Sequence, residues 1–261
     1  MIRKILLLFV LFFFLMQVSY CAPINGSVAK NGEYSKNRVV DARNGAPISN
    51  AKIRIPSKQY STMSRPDGTF ELQADITGPT IMSVEKDGYK PFSLTMDKSA
   101  FSKPVVIGIE KSNPADIVVE QNLLHLGDNS FSENSANAGE FRIESSGPFF
   151  TKKIKIPLIK NFENAYFVIG SVIGIDTKMA IDLGQSKVQT AYSSPPEIYF
   201  NNNKIADLKI NGDNQEIKLP KNLIRTNALN EITVRTGRNL FQKGYIDYDD
   251  IEMMNLSVTV H

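Results

Sequence analysis

"RVVDARNGAPISNAKIRIPSKQYSTMSRPDGTFELQ" (residues 38–73) decides how this chain folds. Apolar and polar residues alternate in short bursts, and each burst ends at a residue that turns the backbone. Arg38 to Asp41 reads as a strand. Asn44-Gly45 supplies a turn, because glycine accepts positive φ without steric cost. Lys52 to Pro56 alternates with Ile53 and Ile55 inward, and Ala51 before it is small enough for a close backbone approach. Pro66-Asp67-Gly68 is a hairpin turn, after which Phe70 and Leu72 point to one side. A period of two, broken every few residues, is the pattern of a β-sandwich and leaves no room for an amphipathic helix.

The same texture runs outward from this stretch. "IMSVEK", "KKIKIPL", "EIYFNN", "NEITVRT" and "MNLSVTV" are all short alternating runs bounded by Gly, Pro, Asn or Asp. "KSNPAD" (residues 111–116) has the Ser, Asn and Pro of a linker. The expected organisation is therefore a polar tether at 22–35, a compact unit at 36–112 and a second at 115–261. The fold class is all-β, two sandwiches in series.

The first 21 residues are not expected to be part of the fold. Arg3 and Lys4 precede the twelve-residue apolar run "ILLLFVLFFFLM", short for a membrane span and suited to a signal-peptide core. Cleavage after Cys21 gives an exported protein, secreted, periplasmic or at the cell surface. The other reading makes Cys21 a lipidated N-terminus, with Val18 and Ser19 suiting a lipoprotein box and bulky Tyr20 departing from it. Cys21 is the one cysteine, so disulfides, cysteine zinc sites and thiol catalysis are excluded. Of 30 basic residues, removing Arg3 and Lys4 leaves 28 against 27 acidic ones. No block of Lys and Arg marks a nucleic-acid footprint, and the membrane enters only through a lipidated Cys21.

The first unit carries an ordered set: Gly45, Pro47, Ile48, Ala51, then Asp67, Gly68, Phe70, then Gly88-Tyr89. That order resembles the carboxypeptidase regulatory-like family, with Asn37-Arg38 where the family often has Gly before its first strand. The resemblance implies a transthyretin-like, seven-stranded accessory sandwich without peptidase activity. In the second unit "YFNNNKIADL", "LIRTNALNEITV" and "DDIEMMN" resemble the cues of galactose-binding-domain-like jelly rolls. Asn202 and Ala228 stand where that family has Gly.

The chemistry lies in few residues. Asp247, Asp249, Asp250 and Glu252 crowd the approach to the last strand. A glycosidase pair needs carboxylates about 5–10 Å apart across a cleft, and no second cluster or cleft signature accompanies these, so no catalytic residue is assigned. In the jelly rolls that this unit resembles, a structural calcium often bridges the first and last strands. Asp128 with Asp249 and Asp250 is the candidate set, since calcium gathers carboxylate and carbonyl oxygens. The competing reading makes the same acids turn and strand-entry residues bonded to nearby N–H groups. His125, between apolar neighbours, reads as a packed or surface histidine rather than a metal ligand. Sugar binding needs aromatic faces beside amides and carboxylates. With no Trp in the chain, Tyr192 and Tyr245 in loops, with Asn201 and Asn202, form the candidate rim. Other tyrosines, Tyr199 among them, read as fillers between strands. The expected function is a non-catalytic exported module pair whose second unit binds carbohydrate. The alternatives are a structural or adhesive protein engaging another protein, and an accessory part of a glycan-processing enzyme.

Overall fold

The computed structural model describes residues 36–99, 103–129, 141–158, 162–186, 193–238 and 250–260. The expected leader, the tether, Cys21, Tyr192, Tyr245, Asp247 and Asp249 lie outside them. Among the described residues the chain is all-β, with one short α-helix.

Among the described residues six strands build the first unit: β1 (Arg38–Asp41), β2 (Lys52–Ile55), β3 (Tyr60–Met63), β4 (Thr80–Glu85), β5 (Phe92–Met96) and β6 (Val106–Ile109). One sheet runs β3-β2-β4-β5, all antiparallel, and a parallel pair β1-β6 faces it. Ile53, Ile55, Met82, Val84, Ile107 and Phe70 fill the space between them. The alternation of "KIRI" is realised as read, with both isoleucines fully buried. Asp67-Gly68 does turn the chain, with the Gly68 N–H donating to the Arg65 carbonyl. The outgoing chain does not pair back along β3. It crosses to β1, where Thr69 bridges Arg38 and the Val39 N–H donates to the Gly68 carbonyl. Gly68 sits so close to Val39 O that a Cβ would lie 2.5 Å from it. The hairpin expected there is thus a crossover between the two layers.

The second unit comprises β7 (Ile117–Glu120), β8 (Leu124–Leu126), β9 (Phe149–Ile156), β10 (Ala165–Ile173), α1 (Lys178–Asp182), β11 (Glu197–Phe200), β12 (Asn203–Asp207), β13 (Gly212–Lys218), β14 (Ala228–Arg235) and β15 (Ile251–Val260). One sheet is ordered β13-β10-β15-β7, with β8 also paired to β15; the other is β12-β11-β14-β9. Phe167 and Ile169 from the first sheet meet Ile198, Phe200, Ile232 and Val234 from the second. These are inward positions of period-two strands, the aligned-sandwich arrangement. Asn201 and Asn202 both hold positive φ, 48° and 64°, the pairing a two-residue hairpin needs. Asn therefore serves where Gly was the expectation. At the second departure the left-handed residue is Asn227 (φ 55°), one before Ala228, so Ala228 carries no strain.

The two units are packed against each other. β4 is buried on both faces: Met82 and Val84 point into the first core, while Ile81 joins Phe141, Ile173 and Met254 of the second unit. Ser171 Oγ donates to Ser93 Oγ at 3.0 Å. The Thr95 N–H and hydroxyl both donate to Asp213, at 2.8–3.0 Å. The connecting segment is pinned as well, since Lys90 lies 3.7 Å from Glu110 and 3.4 Å from Asp116. At the centre of this interface Gly170 has no room for a side chain: a Cβ would lie 2.6 Å from Ser93 Oγ and 2.8 Å from Asn255 Cβ. Gly170→Val is expected to part the units. Limited proteolysis near Pro114 should then run at least roughly tenfold faster, as a local opening becomes cheaper by about 1.4 kcal/mol or more.

The register also shows a paired irregularity at this point. Phe167 and Ile169 face the core, and the next β10 residue to do so is Val172. On β15, Val260, Val258 and Leu256 face it, and the next is Met253. Both strands break their alternation on the same rungs, where Ser171 pairs with Met254 and Ile169 with Leu256. Asn255, in the left-handed region at φ 57°, is the residue that carries the break in β15.

Candidate functional site

The outer face of the β12-β11-β14-β9 sheet gathers polar chemistry that follows from strand parity. In "EIYF" Ile198 and Phe200 enter the core, so Glu197 and Tyr199 point outward. In β14 Ile232 and Val234 go inward and leave Thr233 and Arg235 outside. Register then aligns two rows: Phe149, Arg235, Glu197 and Asp207; and Thr151, Thr233, Tyr199 and Lys204.

Within these rows the Tyr199 hydroxyl donates to Glu197 Oε2 at 2.9 Å and accepts from Arg235 Nη1 at 3.2 Å. The Arg235 guanidinium lies 5.5 Å from the Tyr199 ring centroid, a cation–π distance. Lys204 Nζ is 2.7 Å from both Glu197 Oε1 and Asp207 Oδ1, and Arg238 reaches the same two acids at 3.6 and 3.7 Å. Thr151 and Thr233 hydroxyls are bonded at 2.9 Å. The Lys204 ammonium is held above the usual lysine range by its bonds to Asp207 and Glu197. Three cations thus surround two carboxylates on a pleated surface that also carries an aromatic ring and hydroxyls. Such a surface offers donors, acceptors and a ring face side by side, the complement of a polyol. The sequence held the signal for this row in the alternation of "EIYF" and "NEITVRT", where Tyr199 was read as a filler.

The expected rim residues sit elsewhere. Asn201 Nδ2 donates to the Leu223 carbonyl and to Asn230 Oδ1, and its Oδ1 accepts from the Glu231 N–H. Its amide is fully engaged in holding the β11–β12 turn to the β14 entry. Asn202 is exposed at the tip of that turn.

The closing acids form a different assembly. β8 pairs with β15 so that His125 stands opposite Glu252. His125 Nε2 donates to Asp250 Oδ1 at 2.9 Å, and Nδ1 donates to the Ile143 carbonyl. Both ring nitrogens face acceptors, so the geometry favours imidazolium. Burial alone would lower the His125 pKa; the bonds to Asp250 and Ile143, with the charges of Asp250 and Glu252, raise it above its ordinary value. Burial pushes Glu252 up to about 7, against the opposing pull of His125. Glu252 is 1% exposed, and its Oε1 has no hydrogen-bond partner. Phe141 covers His125 at 5.0 Å between ring centroids. His125 is packed rather than at the surface.

Of the candidate calcium set, Asp128 and Asp250 lie among the described residues and Asp249 outside them. Asp250 is 3% exposed and spends Oδ1 on His125 and on the Asn129 N–H at 3.1 Å, so it faces donors. Asp128 is exposed. Among the described residues no three His, Cys, Asp or Glu side chains stand close enough to hold a metal. Asp250 thus ties the entry of β15 to the Asn129 N–H and to the His125 ring. Comparison of the chain with protein-family models and with curated protein sequences finds no match.

Proposed function

We propose that this is an exported, non-catalytic module pair whose second sandwich binds carbohydrate on its outer sheet face, with the first as a rigid spacer. The observation that carries this reading is the Tyr199–Arg235 pair: an aromatic ring and a guanidinium fixed to one another and to the buried Glu197 carboxylate beneath them on the outer face of the sheet. Such fixing limits the side-chain entropy lost when a ligand docks. The resemblance of the two units to accessory sandwiches and galactose-binding-like jelly rolls points the same way, and the docking of β4 and β5 onto β10 and β15 supports the spacer role. A glycan array probed with the intact two-unit protein tests the proposal. The whole protein is needed, because removing the first unit would uncover Ile173 and Met254. Tyr199→Ala is expected to lower retention of any bound glycan at least about tenfold, the effect of losing one stacking contact. An array on which nothing is retained would sink the sugar reading.

One observation favours docking of another protein instead. Phe149 and Leu229, 53% and 59% exposed, give the β9–β14 edge of this same face an apolar fringe. That reading predicts retention of a protein partner that Tyr199→Ala weakens while sugars fail to compete.

A further inference from the structure

Beside the close-packed contact of Gly170 and Ser93, the two sandwiches diverge and enclose a cavity of about 380 Å³. Its wall is mostly apolar, with Phe92, Leu94 and Ile107 from the first unit and Val118 and Val168 from the second. That size and character are those of small-molecule sites. Two polar side chains in the wall carry buried atoms without hydrogen-bond partners. Asn255 is 4% exposed, and neither its Nδ2 nor its Oδ1 makes a hydrogen bond. Asp116 gives Oδ2 to Lys90 and to the Asn113 N–H, while its buried Oδ1 has none. A buried carboxamide without partners is costly and rare in a folded protein. It is also unneeded for the turn, since Gly would hold the same left-handed backbone. Its presence in an otherwise greasy cleft marks a place that something polar completes.

The wall further states which polarity. Four acids, Glu110, Asp116, Asp213 and Glu216, border the cavity against one base, Lys90. The partnerless atoms are two acceptor oxygens and one donor nitrogen. Both counts favour a ligand that donates hydrogen bonds and carries positive charge. Ile117 pairs with Val258, three residues from Asn255 along β15. Asp116, one residue earlier, lies opposite Thr259, so the Asp116 and Asn255 backbones are roughly 14 Å apart at the usual rise and strand spacing, a gap that two side chains and a small elongated molecule span.

We propose that the cleft between the two sandwiches binds a small organic amine, its apolar body against Phe92, Leu94 and Val118 and its polar atoms on Asp116 and Asn255. The site is separate from the outer sheet face, so either can fail without the other. Calorimetric titration of the purified protein with hexylamine and with hexanoate tests it. Hexylamine should bind saturably and at least about tenfold more tightly than hexanoate. Val118→Trp, made at an exposed edge position that leaves the cores untouched, should fill the cavity and abolish binding. Asn255→Gly keeps the backbone and removes the amide, and should weaken hexylamine by about tenfold. Equal affinity for the two head groups would show an indiscriminate greasy cleft and overturn the proposal. Binding unchanged in Val118→Trp would place the amine elsewhere and overturn it equally.

Discussion

Gly127→Ala is expected to cost at least about 4 kcal/mol and to abolish a cooperative transition of the second sandwich. A Cβ at Gly127 would lie 1.9 Å from Asp250 Oδ1, 2.3 Å from Asp250 Cγ and 2.8 Å from Asp250 Cα. Rotating the carboxylate away relieves only part of this, because the Cα is backbone. Rotation would also strip His125 of its acceptor and leave a buried cation unpaired, which alone costs about 3–5 kcal/mol. The backbone at φ +154° adds strain for any side chain. Urea denaturation followed by circular dichroism checks it. A midpoint within error of the parent would mean that the loop from Leu126 to Asn129 can move off Asp250.

The second large effect is a loss of stability with rising pH, removed by Glu252→Gln. Burial holds Glu252 at about 7 in the fold, against an ordinary value of 4.5. The folded protein therefore holds a proton there that the unfolded chain has released. The contribution is fully present below about 4.5 and disappears as pH rises through about 7. The difference corresponds to about 3 kcal/mol, at 1.36 kcal/mol per pKa unit. His125 shifts in the same sense: its folded pKa is raised, so its contribution too is present below the unfolded value and lost as pH climbs past the folded one. Glu252→Gln should match the parent near pH 4 and exceed it by up to about 3 kcal/mol at pH 8. Parallel stability curves for the two proteins would refute the assignment of that proton to Glu252.

Strands and turns were legible in the sequence where local chemistry determines them. The alternation of "KIRI", the two asparagines after Phe200 and the run "MNLSVTV" all stand where the pattern put them. What the pattern could not supply was pairing between distant segments. The Asp67-Gly68 turn reads as a hairpin because the residues that receive the chain, Arg38 and Val39, lie about thirty positions earlier. For the same reason the bond between Asp250 and His125 was not legible: the two residues lie 125 positions apart. Glu197 and Tyr199 were within reach, since parity alone sends them outward, but their neighbours Arg235 and Lys204 arrive only through sheet register. The cavity was beyond reach altogether, because it exists only where one sandwich lies on the other.

β15 lies in the interior of its sheet, hydrogen-bonded to β10 on one side and to β7 and β8 on the other. Its neighbours are made first, β7 some 130 residues ahead of it. Until synthesis reaches Ile251, β10 and β7 present open edges with nothing between them, and the loop closures needed to bring them together are long. Such a chain stays extended and sticky through most of its production. Factors that hold unfolded chains would find their natural client in the species that lacks its middle strand.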